Sequence, residues 1–260
     1  MNHRAVCYLG AFVMTICFLS FSVGLQAQEK QQTTPAAPES APASPATHDP
    51  AHPPIDCPLR KQGVDPSKLK PFEETEKYIA FLERPDRAIW QKPDEVVAAL
   101  GLAGNESVLD LGAGSGYFTF RLAKALPRGK VFAADTEAQM IVHIHHKAMS
   151  EGMQNIEPML VKPDNPDVPK GTDWVFVSDV LHHVSDRSAW LGKLYSEMKP
   201  GARLALIKFK EGDLPEWPPA SVKITHAQIL VLMAKAGFTL ESERAALLPY
   251  QTFLVFRKSA

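Results

Sequence analysis

The feature that most constrains this 260-residue chain is a glycine-rich turn between an apolar segment and an amphipathic one. The segment 108–111 is apolar apart from Asp110, and Gly112, Gly114 and Gly116 follow it at alternate positions. Glycines at this spacing let the backbone turn freely and let a ligand lie directly against the main chain. The start of the following helix offers N–H groups and a partial positive charge to an anionic group. The turn therefore predicts a strand, a cofactor-binding loop and a helix.

The spacing of the glycines distinguishes two classes of cofactor. A dinucleotide-binding turn has the pattern G-x-G-x-x-G, whose third glycine allows the helix to pack closely under a pyrophosphate. Tyr117 occupies that position here, and Gly116 comes one residue earlier, which argues against NAD. The pattern resembles motif I of the class I S-adenosylmethionine (SAM)-dependent methyltransferases. The resemblance implies that SAM is bound by the following residues: Asp110, Gly112, Gly114, Gly116 and Tyr117.

Two further acidic residues follow in the order expected of that family. The apolar segment 131–134 predicts a second strand that ends at Asp135. A carboxylate at this place can accept hydrogen bonds from both ribose hydroxyl groups of a nucleotide. The alternative is that Asp135 caps the next helix. In the resembled family an acidic residue after the third strand contacts the adenine amine, and Asp164 occupies that place. A solvated turn aspartate is the alternative for Asp164, because Pro163-Asp164-Asn165 departs from the usual Gly-Asp-Ala.

The fourth predicted strand, 174–178, ends in three candidate catalytic residues, which are Asp179, His182 and His183. Open α/β sheets bind ligands at the carboxyl ends of their strands, so these side chains should face the transferable methyl group. Either histidine is a candidate general base for a hydroxyl or amine acceptor. Because adjacent histidines point in different directions, at most one is expected to do this. The other interpretation is that one histidine packs against, or caps, the helix that begins near Ser185.

The remaining motifs complete a fold prediction. The segment 198–206 predicts a helix end, a Pro-Gly turn and a fifth strand, and it is similar to the L-K-P-G-G motif of the family. Thr225 to Gln228 form a capping box for a helix that ends at Gly237, and two strands are predicted at about 238–247 and 250–257. The resemblance covers about 95–258. It implies a Rossmann-like, doubly wound α/β sheet of seven mostly parallel strands with an antiparallel C-terminal strand.

Apolar periodicity in the segment 71–102 predicts helices before the first strand. In the resembled family such N-terminal helices cover the substrate pocket. Tyr78, Phe81 and Trp90 are therefore expected in part of the pocket wall, since ligand pockets are mostly apolar. Packing within the core is a sufficient explanation for any single one of them.

The first 58 residues have a different composition. Arg4 precedes an apolar run from Ala5 to Leu25, which predicts a signal peptide over 1–27 or an uncleaved membrane anchor. Either places the domain outside the cytoplasm, in the periplasm or tethered to the membrane. Residues 28–58 are rich in Pro and Ala and predict a disordered linker, and residues 59–260 form the methyltransferase domain.

The formal net charge of -1 provides no basic field, so nucleic acid is not an expected partner. His48 and His52 lack further placed ligands, so no metal site is expected. The predicted function is methyl transfer from SAM to a small-molecule acceptor. The alternative is an exported SAM-binding sensor or scaffold without catalysis, because SAM is made in the cytoplasm.

Overall fold

The structure, a computed structural model, describes residues 62–63, 72–212, 214–215 and 223–260. Its strands are Ser107–Leu111 (β1), Lys130–Asp135 (β2), Ile156–Leu160 (β3), Trp174–Ser178 (β4), Arg203–Phe209 (β5), Thr239–Glu243 (β6) and Gln251–Arg257 (β7). Its helices are Phe72–Leu82 (α1), Arg87–Gln91 (α2), Pro93–Ala99 (α3), Thr119–Ala125 (α4), Ala138–Ser150 (α5), Arg187–Glu197 (α6) and His226–Ala236 (α7), with a 3-10 turn at Leu181–His183.

The described strands form one seven-stranded sheet in the order β3-β2-β1-β4-β5-β7-β6. Strands β1 to β5 are parallel to one another, whereas β7 is antiparallel to both β5 and β6. This confirms the predicted fold class. Strand β6 is shorter than predicted, because the chain turns at 245–247, where the Leu247 N–H donates to the Arg244 carbonyl oxygen. The carboxyl ends of β1, β2 and β4 meet at one edge of the sheet, which is where ligands bind in such folds.

The central strands have apolar residues on both faces because helices cover both sides of the sheet. Successive residues of a strand point to opposite faces, so Val108 and Leu109 of β1 contribute to different cores. Val108 packs in a cluster with Phe176 and Phe253, and Leu109 packs in a second cluster with Val175. All five side chains are completely buried. The sheet is thus fixed from both sides, and its strand ends form a rigid base for a site.

Helix boundaries follow local chemistry. Helix α4 begins at Thr119, because 114–118 continue as turns after the glycines. Helix α7 has the predicted capping box, in which the Thr225 side chain accepts from the Gln228 N–H and the Gln228 side chain accepts from the Thr225 N–H. It stops at Gly237, whose φ of 101° is left-handed.

The predicted signal or anchor segment and the linker lie outside the described residues. Among the residues that are described, no helix combines the length and the apolar character needed to cross a bilayer.

Candidate functional site

The three glycines of the loop have different structural roles. All of them have positive φ angles, 82° for Gly112, 55° for Gly114 and 83° for Gly116. A Cβ on Gly112 would lie 2.2 Å from the Cγ2 of Val180, and one on Gly116 would lie 2.6 Å from the Cε2 of Phe120. A Cβ on Gly114 would meet only Leu82, at 3.4 Å. Gly112 and Gly116 therefore allow close packing, whereas Gly114 leaves open space for a ligand.

A cavity of about 640 Å³ lies above this loop. Its lower wall comes from the loop and the ends of β1, β2 and β4, and its upper wall from α1 and α2. We call α1 and α2 together the cap. Of the residues predicted from the sequence, those that line the cavity are Tyr78, Phe81, Trp90, Asp110, Gly112, Gly114, Tyr117, Asp135, Asp179, His182 and His183.

Two predicted residues are not among those that line the cavity, Gly116 and Asp164. Gly116 supports the loop from behind through its contact with Phe120. Asp164 is exposed, while its neighbours Pro163 and Asn165 border the cavity. The Oδ1 atom of Asn165 is buried without a hydrogen bond among the described residues. The adenine-binding role of Asp164 stays a prediction.

Asp135 fastens the glycine loop to the tip of β2. Its Oδ2 accepts a hydrogen bond from the Gly114 N–H (2.7 Å), and its Oδ1 accepts one from the Glu137 N–H (2.9 Å). The N-cap residue of α5 is Glu137, so Asp135 is not the cap itself. Burial raises the pKa of Asp135 above its ordinary value, against the effect of these N–H donors. The carboxylate therefore lies on the cavity wall beside the open position at Gly114.

Asp110 is buried near the end of β1, beneath the loop. Its Oδ2 accepts a hydrogen bond of 2.6 Å from the Thr119 hydroxyl at the start of α4. Burial raises the pKa of Asp110 to about 7, and the hydrogen bond from Thr119 opposes this shift. The side chain is thus close to its titration point at neutral pH.

Asp179 follows β4 with a φ of 58°, which is unusual for a residue other than glycine. Its Oδ2 accepts hydrogen bonds from the side-chain amides of Gln251 (2.5 Å) and Gln91 (3.2 Å). Its Oδ1 is buried and has no hydrogen-bond partner in the described part of the chain. Burial raises the pKa of Asp179 to about 7, and the positive charge of Arg87 acts in the opposite direction. Backbone strain and an unpaired oxygen of this kind concentrate at functional sites.

The two histidines lie side by side on the 3-10 turn. Their ring centroids are 4.0 Å apart and both residues border the cavity, so the expectation that they diverge is wrong. Burial lowers the pKa of His182 to about 4, and its Nε2 has no hydrogen bond among the described residues. Neither histidine caps α6, because that role belongs to Asp186, whose side chain accepts from the Ala189 N–H at 3.0 Å.

Sequence analysis missed the polar residues that the cap and β7 contribute. Gln91 and Gln251 are fully buried on the inner side of Asp179, and Arg87 of α2 borders the cavity. The only sequence signal for Gln251 is a polar residue at the start of an otherwise apolar strand. Within the described residues, no group of three or more His, Cys, Asp or Glu side chains is arranged to hold a metal ion.

The cavity fits SAM on three observations of this structure. Its volume is within the range of about 300–1,000 Å³ that is typical of small-molecule sites. Gly114 leaves a cradle that a Cβ would fill, next to the Asp135 carboxylate. Buried polar groups are nearly always hydrogen-bonded, yet several that border the cavity have no partner in the described chain: Trp90 Nε1, Ser115 Oγ, Tyr117 OH, Asp179 Oδ1 and His182 Nε2.

Comparison with known proteins agrees with this geometry. The family described as "Methyltransferase domain" matches residues 109–204, which span β1 to the start of β5. A SAM-dependent methyltransferase from Aquifex aeolicus is a structural neighbour with a TM-score of 0.65 and 25% sequence identity, over 70% of this chain and 97% of that one. The glycine loop, the sheet order and this neighbour define the class: the chain carries a class I SAM-dependent methyltransferase domain.

Two named relatives are each similar over about half of this chain. Trans-aconitate 2-methyltransferase of Mycobacterium tuberculosis (strain ATCC 25177 / H37Ra) is 28% identical over 129 residues, 50% of this chain and 45% of the relative. Demethylmenaquinone methyltransferase of Lactiplantibacillus plantarum is 30% identical over 131 residues, 48% of this chain and 54% of the relative. The chain therefore spans about half the length of the curated relatives it matches.

Proposed function

We propose that the protein transfers a methyl group from SAM to a small organic acceptor. The observation that carries this proposal is a single cavity lined both by the glycine loop and by the aromatic side chains of the cap. The open position at Gly114 adjoins the Asp135 carboxylate, which suits an adenosine group. The aromatic side chains of Tyr78, Phe81 and Trp90 line the same cavity and offer an apolar wall for an acceptor.

The residues of this chain divide the binding of SAM between them. In this proposal Asp135 accepts hydrogen bonds from the ribose hydroxyls, while Asp110 and the glycine loop bind the methionine part. When bound, SAM supplies an electrophilic methyl group on a positively charged sulfur. The protein contributes alignment of the acceptor and exclusion of water, which are the main requirements of an in-line displacement. The cap contributes to both, because its aromatic residues line the upper side of the cavity.

Asp179 is better suited than His182 to accept a proton from the acceptor. A general base works best when its pKa is near the working pH, and the pKa of Asp179 is about 7. The pKa of His182, about 4, makes this imidazole a weak base. We infer that His182 acts as a neutral hydrogen-bonding group and that Asp179 takes the proton of a hydroxyl or amine acceptor. The unpaired Oδ1 of Asp179 is the atom that would receive it.

The acceptor we propose is a small molecule with an apolar part and a polar group at its reacting end. The wall of the cap and Phe209 provide apolar surface, and Asp179 and His182 provide polar atoms below it. By their names, the two curated relatives act on trans-aconitate and demethylmenaquinone. Screening should therefore include carboxylic acids, quinols and phenols.

Calorimetry and a methyl-donor assay test the function. SAM and S-adenosylhomocysteine should bind, NAD should not, and Asp135→Ala should weaken SAM binding at least about tenfold through lost hydrogen bonds to a charged group. Glu157→Gln is the matched control, because this carboxylate on β3 is exposed and pairs with Lys130. Binding of NAD without binding of SAM would refute the function. Transfer of radiolabelled methyl groups to any acceptor would exclude the alternative of a SAM-binding sensor.

We also propose that the domain works outside the cytoplasm. Support comes from the apolar run between Ala5 and Leu25, which follows Arg4 and precedes a Pro- and Ala-rich segment. In this arrangement 1–27 are a signal peptide or anchor, 28–58 a linker and tether, and 59–260 the enzyme. Cell fractionation and digestion by external protease test the proposal. Protection of the domain in cells with a permeabilised outer membrane would contradict it.

A further inference from the structure

Arg87 is a cation of the cap that faces the cavity and that neither the sequence motifs nor the proposed reaction explains. It is the first residue of α2 and lies among the residues that line the cavity. Burial lowers the pKa of Arg87, which means that its charge is partly removed from water. A desolvated guanidinium is costly unless charged or polar partners surround it.

The partners of Arg87 within the described chain are neutral. Its Nε donates to the side-chain oxygen of Gln91, and its Nη1 donates to the Leu82 carbonyl oxygen at 2.5 Å. No hydrogen bond from Nη2 and no ion pair with a carboxylate is formed among the described residues. Arginine can donate five hydrogen bonds in a fixed planar fork, so the outer part of this fork remains available.

The nearby carboxyl groups are poor counter-ions for Arg87. Asp179 and Asp110 influence it electrostatically, but neither forms an ion pair with it. Burial raises the pKa of both carboxyl groups to about 7, so neither is a fully ionised counter-ion near neutral pH. Asp179 is also already engaged by the amides of Gln91 and Gln251. The local balance of charge therefore leaves Arg87 in need of an anion.

Tyr117 holds the guanidinium in place. The Arg87 guanidinium carbon lies 4.0 Å from the centroid of the Tyr117 ring. Arg121 of α4 also lies against this ring, at 4.5 Å, but it pairs with Asp94 and does not border the cavity. Cation–π contacts of this kind orient a guanidinium without neutralising its charge. The residue that replaces the third glycine of a dinucleotide loop thus supports a cation at the cavity wall.

We propose that Arg87 binds a carboxylate group of a ligand in this cavity, with Tyr117 and Gln91 holding the guanidinium fork ready for it. Two sources share this chemistry, and both rest on the proposed function. One is the α-carboxylate of SAM, and the other is a carboxylate of the methyl acceptor. Arginine is the residue suited to this task, because its fork matches both oxygens of a carboxylate.

The test compares ligands that differ only in the carboxylate. Binding of S-adenosylhomocysteine and of its decarboxylated analogue, S-adenosyl-3-thiopropylamine, is measured by calorimetry on the full domain. The proteins are the native chain, Arg87→Met, Arg87→Lys and Arg121→Met. Arg121→Met is the matched control. It removes a guanidinium that lies against the same Tyr117 ring but does not border the cavity. A thermal unfolding midpoint for each variant verifies folding, and Arg87→Lys serves if Arg87→Met does not fold.

If Arg87 binds the α-carboxylate of the cofactor, Arg87→Met should weaken the binding of S-adenosylhomocysteine about 10- to 100-fold, because charge-assisted hydrogen bonds are lost. Binding of the decarboxylated analogue should then be unchanged, and Arg87→Lys should keep part of the affinity. If Arg87 instead binds a carboxylate of the acceptor, S-adenosylhomocysteine should bind all variants equally. With S-adenosylhomocysteine bound, mono- and dicarboxylates should then bind the native protein but not the Arg87→Met variant.

The proposal is overturned if Arg87→Met changes neither S-adenosylhomocysteine binding nor carboxylate binding. Failure of the proposed function has a different signature, since the native protein then binds neither SAM nor S-adenosylhomocysteine. In that case the carboxylate panel is applied to the free protein. Binding that depends on Arg87 supports the anion site, and its absence overturns it.

Discussion

Gly112 and Gly114 lie two residues apart but should respond differently to the same substitution. Gly112→Ala drives a methyl group into Val180 and keeps a left-handed φ, so we expect a loss of about 2–4 kcal/mol in the free energy of unfolding. In Gly114→Ala the new methyl group meets only Leu82 among the described residues, at 3.4 Å. The free energy of unfolding should therefore fall by about 1 kcal/mol, because of the left-handed backbone conformation alone. The substitution should instead weaken SAM binding, because the methyl group fills the cradle.

Denaturant unfolding and calorimetry on the two variants check this contrast. Gly152→Ala is the control for backbone strain, since Gly152 has a φ of 66° and nothing lies within 4 Å of a Cβ there. Equal effects of Gly112→Ala and Gly114→Ala on stability would show that the conformation of the loop, and not the packing behind it, sets the need for glycine.

Individual residues also show what the sequence can predict of the site. Asp110, Asp135 and Asp179 were predicted as site residues because each lies at the end of a strand, and strand ends meet at one edge of a parallel sheet. Gln91, in contrast, contacts Asp179 across 88 residues of chain. No local pattern encodes such a pairing, and it depends on how the cap packs on the sheet. The same reason explains why Arg87 was missed.

The carboxyl ends of β1 and β4 place two titrating groups in one cavity. The pKa of Asp179 rises from 3.8 to about 7 on folding, so between these values the native state binds more protons than the unfolded state. The contribution of Asp179 to stability therefore falls as the pH rises from about 4 to 7. Asp179→Asn removes this dependence while keeping an oxygen acceptor. Relative to the native chain, the variant should become increasingly stable over this range.

Thermal unfolding midpoints at several pH values between 4 and 7.5 measure this difference. His182, whose pKa is lowered to about 4, contributes a slope of opposite sign, but it is present in both proteins and cancels. A difference between the two midpoints that does not change with pH would mean that Asp179 is ionised throughout.

Helix α7 depends on its capping box at the N-terminus. Thr225→Ala removes the acceptor for the Gln228 N–H, which lies 3.1 Å from the threonine hydroxyl. We expect the free energy of unfolding to fall by about 1 kcal/mol, measured by denaturant unfolding. Lys235→Ala, at an exposed position in the last turn of the same helix, should change it by less than about 0.5 kcal/mol. Equal losses would contradict a specific role for the cap.

At the scale of the whole molecule, the order of strands and helices was predictable because the motifs recur in a set sequence. The end of β6 was less predictable, since a turn at 245–247 decides it. The cap was predicted as helices over a pocket, but its polar contacts with the sheet were not. Patterns along the chain thus predict elements and their order, whereas contacts between distant elements depend on packing.

Binding of SAM should stabilise the whole domain. A ligand that binds only the native state adds about 2.7 kcal/mol when present at 100 times its dissociation constant. Differential scanning fluorimetry should therefore show a higher unfolding midpoint with SAM, and no change with NAD at the same concentration. A shift with NAD alone would contradict the cofactor assignment.

Strand β7 lies between β5 and β6, although β6 precedes it in the chain. During synthesis β5 therefore has no neighbour on that side until residues 251–257 have emerged, and β6 has no strand to join. Until then β5 presents unpaired backbone groups and apolar side chains along one edge. The sheet is therefore completed only when its last strand in chain order has been made.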